Sequence, residues 1–265
     1  MRPAGPIALS GPAEVAAAAQ VFVADLASPE PHGDDAHHLA QVLRLRPGET
    51  VIASDGEGAW RVCRYRAGSD PSRSLEPDGP LRHEQRPAEP VCIGFVPTKG
   101  DRPEWVVQKL TEQGVDRVVM VRSARSVVRW EHERAARAVE RLRRVARLAA
   151  AQSRRAWLPS VEGVLPLAEL AAELGGVSAP GGSGPLALAQ PGGAPPVSGT
   201  TALAVGPEGG WDESELGLAD RLVGLGPRVL RAETAAVAAG YLLCALRDGV
   251  IAPARKGKAC NHHAE

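Results

Sequence analysis

The sequence predicts an α/β fold with a mostly parallel sheet, preceded by a small β-rich unit. Short β-like runs occur before residue 66, a stretch rich in proline and charge follows at 66–90, and strand and helix patterns then alternate. The chain has 265 residues, of which 44% are apolar, so it can bury one or two hydrophobic cores, and we expect two domains. We predict a first domain over 1–85, with a linker to about residue 90, and a second domain over 86–252.

The β-rich unit begins with the strand pattern QVFVADL at 20–26. The stretch ETVIASDGEGAWRVCRY at 49–65 contains two further strand patterns, and the Asp55-Gly56 pair between them is typical of a hairpin turn. Residues 66–90 are poor in aliphatic side chains, and we interpret them as a linker or a long surface loop.

The α/β unit is predicted from the alternating patterns that follow. The predicted strands are 91–97, 116–121, 186–190 and 201–206, and the predicted helices are 103–113, 131–155, 166–174, 212–222 and 233–247. Residues 175–200 are rich in Gly, Pro and Ser, which predicts two flexible loops around one strand. Residues 253–265 are predicted to form a disordered tail.

The composition argues against several classes of protein. The 31 basic and 31 acidic residues balance, which argues against wholesale nonspecific binding of nucleic acid. Neither a membrane-spanning apolar run nor a signal-peptide pattern is present, so a cytoplasmic protein is predicted. The four cysteines lack C-x-x-C spacing, and we expect no metal site, not even where Cys260 lies close to His262 and His263.

The segment AVGPEGGWDESE at 204–215 predicts a ligand site of unusual charge. A glycine-rich turn after a strand usually binds phosphate through free backbone N–H groups. Here Glu208, Asp212, Glu213 and Glu215 place carboxylates where a phosphate would lie, and neither nucleotide-binding fingerprint is present. The ligand is therefore predicted to be neutral or cationic.

The predicted helix at 131–155 has one apolar face and several arginines around the rest. It contains eight arginines and three acids, a local excess of five positive charges in a neutral chain. A solvated helix face is the simpler interpretation, whereas a localised excess of this size favours contact with the phosphates of a folded RNA. The arginines that share one side are Arg134, Arg137, Arg141 and Arg144, and the apolar positions are Ala135, Val139, Leu142, Val145, Ala146 and Ala149.

Five blocks of sequence occur in a characteristic order. They are HHLAQVLRLRPGE at 37–49, KGDRPEWVVQKLTEQGVDRVV at 99–119, QSRRAWLP at 152–159, GPEGG at 206–210 and LGPRVLRAETAA at 225–236. Together they closely resemble the RsmE family of ribosomal RNA uridine-N3 methyltransferases, which belongs to the SPOUT superfamily. The chain departs from many members at Leu148, where a glutamate is frequent, and at Arg155, where a glycine is common.

The resemblance implies a PUA-like β-barrel that helps to hold RNA, followed by a SPOUT methyltransferase domain tied in a trefoil knot. It also implies S-adenosylmethionine as the cofactor, a homodimer, and a uridine of small-subunit (16S) ribosomal RNA as the target, within the assembled small subunit. The cationic sulfonium of this cofactor is compatible with a glycine turn that carries carboxylates. Methylation at N3 requires loss of the N3 proton, so the site must supply a base or donors that stabilise the uridine anion.

Residues that match the family motifs are the predicted site. The cofactor residues implied in this way are Gly206, Glu208, Gly209, Leu225, Gly226, Leu230, Arg231 and Thr234. The RNA-binding residues predicted from the motifs and the arginine-rich helix are His38, Arg44, Arg137, Arg141, Arg144, Gln152 and Arg154. Arg231 is the predicted catalytic residue, and because its guanidinium stays protonated, it would stabilise the anion rather than remove the proton.

Several acids near the site have a structural interpretation. Glu233 matches the family motif, but it also lies at the head of a predicted helix, where it would interact with free N–H groups. Asp212 and Glu215 have capping-box spacing. Two alternative functions stay open from the sequence: a SPOUT methyltransferase that acts on another RNA such as transfer RNA, and a noncatalytic RNA-binding homologue.

Overall fold

The computed structural model describes residues 9–66, 74–98, 100–126, 132–175 and 186–252. These residues form two compact units, each assembled from three segments of the chain. The first unit takes the described residues of Met1–Ala88, Val107–Arg117 and His132–Val161, and the second takes those of Glu89–Val106, Val118–Glu131 and Glu162–Glu265. The division into sequential domains near residue 85 stays a prediction.

The first unit is built on a five-stranded sheet. Its strands are β1 (Ala19–Phe22), β2 (Thr50–Ser54), β3 (Ala59–Tyr65), β4 (Leu75–Pro77) and β5 (Arg82–His83). β1 pairs with β2 in parallel, whereas β3 pairs antiparallel with β2, β4 and β5. The predicted hairpin turn is confirmed, because the Asp55 carboxylate accepts hydrogen bonds from the N–H groups of Glu57 and Ala59 at 2.7 and 3.0 Å.

The structure corrects the interpretation of 66–90 as a linker or loop, since β4 and β5 lie within this stretch. Both strands extend the sheet through β3, and Leu75 is buried against the core of the unit. The sequence signal was weak because these strands are only three and two residues long. Residues 67–73 lie outside the described residues.

Helix α3 (His132–Gln152) also belongs to the first unit. Its predicted apolar face is confirmed in large part, because Val139, Leu142, Ala146 and Ala149 are buried. A short helix, α1 (Gly33–His37), continues as a π-helical turn over His38–Val42, and a 3₁₀ turn lies at Gly11–Glu14.

The second unit is built on a six-stranded sheet with the order β11-β9-β10-β6-β7-β8. Its strands are β6 (Cys92–Phe95), β7 (Arg117–Arg122), β8 (Ser160–Pro166), β9 (Leu186–Ala194), β10 (Ala202–Val205) and β11 (Arg221–Val223). The pairs of β10 with β6, β10 with β9 and β11 with β9 are parallel, as the alternating pattern predicts. The remaining helices are α2 (Arg102–Glu112), α4 (Leu167–Gly175), α5 (Glu213–Leu216) and α6 (Ala232–Arg247).

Some elements of this sheet were not predicted from the sequence. The helix predicted at 212–222 ends at Leu216, because Gly217 follows as its C-cap and the chain then enters β11. β8 was missed, and β9 extends through Pro191 to Ala194. The strand-like PRVL at 227–230 is irregular, and Val229 is 84% exposed. The predicted tail at 253–265 and most of the first flexible loop lie outside the described residues.

Two further observations concern composition. Within the described ranges, no helix is both long and apolar enough to cross a bilayer. Cys63, Cys92 and Cys244 are buried and form no disulfide among the described residues. The described residues contain no group of three or more His, Cys, Asp or Glu that could hold a metal ion.

Candidate functional site

The glycine-rich turn after β10 depends on the absence of a side chain at Gly206. A Cβ atom there would lie 2.9 Å from the indole ring of Trp211, closer than real Cβ contacts. Gly210 has a φ of +71° and donates its N–H to the Pro207 carbonyl at 2.9 Å, which closes the turn. Trp211 is buried and donates its indole N–H to the Ala189 carbonyl of β9 at 3.1 Å. The turn is thereby fixed against the neighbouring strand.

A second loop begins where β11 ends, and it passes unusually close to β9. A Cβ atom at Gly224 would lie 2.3 Å from the Gly193 carbonyl oxygen, and one at Gly193 would lie 2.7 Å from the Gly224 nitrogen. The Gly224 N–H donates to the Ala194 carbonyl at 2.9 Å. Only glycine at both positions allows this crossing, which sets the course of the chain into Leu225 and Gly226.

The two loops and the end of β9 enclose a cleft with a cavity volume of about 140 Å³. Its position at the carboxyl ends of parallel strands is where α/β sheets bind ligands. The lining residues are Ala189, Gln190, Pro191, Val205, Gly206, Pro207, Glu208, Gly210, Trp211, Leu225, Gly226, Arg228, Val229, Leu230, Ala232 and Ala235.

The structure brings five of the eight predicted cofactor residues into this lining: Gly206, Glu208, Leu225, Gly226 and Leu230. The other three, Gly209, Arg231 and Thr234, lie beside it, and Arg231 and Thr234 are exposed at the start of α6. Sequence reasoning missed Gln190 and Pro191. The strand LALAQ was predicted, but its position beside β10 could be known only from the strand order.

Glu215 fastens the glycine-rich turn after β10 to the loop after β7. This buried carboxylate accepts hydrogen bonds from the Ser123 hydroxyl at 3.1 Å, the Ala124 N–H at 2.8 Å and the Asp212 N–H at 2.9 Å. Asp212 accepts from Ser214 in turn, so the predicted capping box is confirmed. These bonds from Ser214, together with the nearby Arg125 guanidinium, lower the pKa of Asp212.

Arg125, which sequence reasoning missed, adds a second tie between the same two segments. Its guanidinium donates to the Gly209 carbonyl at 2.9 Å and lies 3.7 Å from the Asp212 carboxylate. Gly209 is therefore held from outside the cleft. The signal for Arg125 was absent from the sequence because the loop after β7 and the glycine turn are 84 residues apart.

The first turn of α6 contains a cation and an acid in different environments. Arg231 is the N-cap residue, is exposed and makes no side-chain capping bond. Glu233 has a side chain only 12% exposed, and it lies 3.5 Å from the Arg102 guanidinium. One of its carboxylate oxygens is buried and has no hydrogen-bond partner within the described part of the chain. Glu233 lies in the first turn, where the helix dipole favours an acid, and its interaction with the free N–H groups stays a prediction.

The arginines of α3 and of the residues that follow it divide into two groups. Arg143 donates to the Val161 carbonyl at 3.1 Å, Arg147 to the Phe22 carbonyl at 2.7 Å, Arg154 to the Ala17 carbonyl at 2.7 Å and Arg155 to the Thr111 carbonyl at 2.9 Å. These four fasten the helix region to the rest of the first unit. The other four, Arg134, Arg137, Arg141 and Arg144, have exposed side chains.

The remaining predicted RNA-binding residues differ in exposure. His38, Arg44 and Gln152 are exposed, and Arg44 adopts a left-handed conformation with a φ of +51°. Arg154 is half-buried, and burial lowers the pKa of its guanidinium. Because one of its donors already bonds to the Ala17 carbonyl, Arg154 has less capacity for RNA than the sequence suggested.

Two family models match the chain. Residues 84–243 match a family described as an RNA methyltransferase domain, and residues 32–71 match one described as an RNA methyltransferase PUA domain. The first match covers most of the second unit and crosses into the first, because α3 lies within it.

The chain is also similar to named proteins. It is 36% identical over 226 residues to ribosomal RNA small subunit methyltransferase E of Mycobacterium bovis, covering 78% of this chain and 82% of that protein. The structure resembles that of a ribosomal RNA small subunit methyltransferase E from Neisseria gonorrhoeae bound to S-adenosyl methionine, with 26% identity, a TM-score of 0.65 and coverage of 84% of this chain and 94% of that one. A probable rRNA-methyltransferase from Porphyromonas gingivalis gives 26% identity, a TM-score of 0.71 and coverage of 88% and 100%.

Proposed function

This chain belongs to the RNA methyltransferase family, and we propose that it transfers a methyl group from S-adenosylmethionine to N3 of a uridine in small-subunit ribosomal RNA. The observation that carries the proposal is the cleft at the carboxyl ends of β9, β10 and β11, built from two glycine-dependent loops. Methylation of small-subunit ribosomal RNA with this cofactor is the activity of the family; the choice of uridine N3 is the finer part of the proposal.

The cleft residues fit S-adenosylmethionine in shape and charge. Apolar side chains such as Trp211, Leu225 and Leu230 suit the adenine ring, and the close backbone at Gly206 and Gly226 offers N–H and carbonyl groups to its edge. When bound, the cofactor supplies a methyl group on a cationic sulfur. Glu208 places a carboxylate in the lining for a cationic group, and Arg228 places a cation there for the carboxylate of the methionyl part.

Arg231 is proposed to hold the reacting base. Its exposed guanidinium lies at the uncapped N-terminus of α6, where free N–H groups create a positive potential. A cation at this position stabilises the negative charge that develops on a uracil when N3 loses its proton. Because Arg231 stays protonated, a different group accepts this proton.

The exposed arginine face of α3 is proposed to bind ribosomal RNA. The exposed side chains of Arg134, Arg137, Arg141 and Arg144 support this proposal, because an exposed guanidinium can exchange a surface ion pair, such as that of Arg137 with Glu133 at 3.8 Å, for a phosphate. Replacing Arg137, Arg141 and Arg144 by Gln would lower the salt dependence of RNA binding by about one unit of slope for each lost contact. An unchanged slope would favour the solvated-face interpretation.

We also propose a homodimer, a cytoplasmic location and the trefoil knot that the family resemblance implies. Helix α6 supports the homodimer, because its own residues are small or apolar on almost every side and its Tyr241 side chain is 53% exposed. The first domain is proposed to act on RNA as a PUA domain, in line with the matched model over 32–71.

Methyl transfer onto small ribosomal subunits tests the main proposal. Subunits from cells that lack the gene are incubated with the protein and labelled S-adenosylmethionine, and the modified nucleotide is identified by mass mapping. We expect one N3-methyluridine in the small-subunit RNA. Label that appears only in transfer RNA, or none in any RNA, would refute it.

A further inference from the structure

A second cationic surface lies on the first unit, away from α3 in sequence. It consists of Arg82, His83, Arg86 and Trp157, and we refer to these four residues as the β5 surface. Arg82 and His83 form the short strand β5, which pairs with β3 at Trp60 and Ala59. The three cationic or titratable side chains are exposed, and Trp157 is half-buried. None of the four belongs to the predicted site.

Aromatic rings hold both guanidinium groups of this surface in place. Arg82 lies over the ring of Trp60, with its Cζ 5.1 Å from the centroid, and Arg86 lies over the ring of Trp157 at 5.3 Å. His83 meets the same Trp157 ring edge-on at 5.9 Å. The Trp157 indole N–H donates to the Glu84 carbonyl at 2.9 Å, which fixes the ring. Stacking of this kind orients a guanidinium while its N–H donors stay available at its rim.

The charge of the β5 surface is not neutralised locally. Within the described ranges, neither Arg82 nor Arg86 lies within ion-pair distance of a carboxylate. Glu84, the acid between them, is half-buried, and burial raises its pKa. The contrast is with Arg64 and Arg66 on β3 and beside it, which pair with Asp78 and Glu76.

We propose that the β5 surface binds backbone phosphates of the RNA substrate. This inference rests on the proposed function for the nature of the partner. Oriented guanidinium groups match the geometry of phosphate oxygens, and arginines beside aromatic rings are characteristic of surfaces that track a nucleic-acid strand. An alternative role for Arg82 is to prevent the edge strand β5 from pairing with another chain, since charged side chains on edge strands have this effect. Arg86 lies beyond the strand, so this role does not explain it. RNA therefore accounts for both arginines.

The test compares two double variants that remove the same formal charge from the first unit. Arg82→Gln with Arg86→Gln removes the β5 surface cations, and Arg64→Gln with Arg66→Gln removes two cations that are paired with acids. Binding of protein-free small-subunit ribosomal RNA is measured at several salt concentrations for both variants. S-adenosylmethionine affinity and thermal unfolding are measured in parallel to establish that each variant is folded.

We expect the first variant to lose about 1.4 units of salt slope, because each phosphate contact with single-stranded RNA contributes about 0.7. If the variant and the wild-type protein bind RNA equally at 1 M salt, the variant binds roughly 25-fold more weakly than the wild type at 0.1 M salt. The control variant should retain affinity and slope. Equal losses in both variants would assign the effect to net charge, and no loss in the first would also overturn the proposal.

Two further outcomes separate this proposal from the proposed function. A loss of binding to assembled subunits but not to protein-free RNA would mean that the β5 surface contacts a ribosomal protein, which overturns it. If the wild-type protein binds RNA through this surface yet methylates none, the proposed function fails while the β5 surface stands. If the wild-type protein methylates the RNA and the first variant binds it normally, only the β5 surface fails.

Discussion

Replacement of Glu215 by Ala is expected to destabilise the second unit. The carboxylate is 7% exposed and is the shared acceptor for two backbone N–H groups and one hydroxyl. Removal leaves the N–H groups of Ala124 and Asp212 without this partner, and because both bonds are only partly buried, water can replace part of what is lost. The Ser123 hydroxyl can rotate toward another acceptor, so it contributes less to the loss.

The expected magnitude follows from these contacts. A hydrogen bond to a charged group contributes about 1.5–3 kcal/mol to stability. Because both bonds are only partly buried, each is expected to contribute at the lower end of this range, and the two lost N–H bonds give a decrease of about 2–3 kcal/mol in the free energy of unfolding. Glu215→Gln keeps the shape and one acceptor oxygen, and a decrease of about half that size is expected.

Urea unfolding followed by circular dichroism measures this change, provided that the slope with denaturant stays constant. The matched control is Glu213→Ala, since Glu213 lies in the same helical turn and is exposed. It should change stability by less than about 0.5 kcal/mol. A Glu215→Ala variant within about 1 kcal/mol of the wild type would show that the three hydrogen bonds do not hold the turn.

Three further predictions concern the cleft and the first core. Gly224→Ala places a Cβ against the Gly193 carbonyl and should weaken S-adenosylmethionine binding about tenfold or more by calorimetry, whereas Gly217→Ala, where a Cβ meets only ordinary contacts, should not. Arg231→Ala and Arg231→Lys should each slow single-turnover methyl transfer about a hundredfold with little change in cofactor affinity. An equal loss in methyl-transfer rate and in cofactor affinity would make Arg231 a pocket residue instead. Burial raises the pKa of Cys63 to about 11, above its ordinary value of 9.0, so this thiol contributes stability below pH 9 that is lost as pH rises toward 11. Cys63→Ala should flatten that part of the stability profile, and an unchanged profile would contradict it.

Much of the fold was predictable because its signals are local. The alternation in 91–121 and the apolar face of α3 depend on residues a few positions apart, and both are confirmed. The short strands β4, β5 and β11 were not predicted, because two or three residues are too few to show the alternation of apolar and polar side chains. Such strands form because they pair with strands elsewhere in the chain.

The candidate site was predictable to a similar extent for a similar reason. The glycine turn and the segment before α6 are continuous motifs, so the family resemblance pointed to Gly206, Glu208 and Leu225, which the structure brings into one cleft. Gln190 and Arg125 could not, because each reaches the site only through strand order or a loop far away in the chain. The same reason applies to the arginines of α3. Their excess of positive charge can be counted in the sequence, but the contacts in the structure are needed to tell the arginines that fasten the helix from those with exposed side chains.

The three-segment construction of the first unit limits how this protein can be recombined with its relatives. A fragment that ends at Ala88 would carry the whole five-stranded sheet but not α3. The Phe22 and Ala17 carbonyls would lose the guanidinium donors of Arg147 and Arg154. Without the helix, the side chains that pack against its apolar face would be exposed to water. A chimaera that exchanges RNA specificity between two family members must therefore transplant 107–117 and 132–161 together with the N-terminal segment, as a discontinuous block.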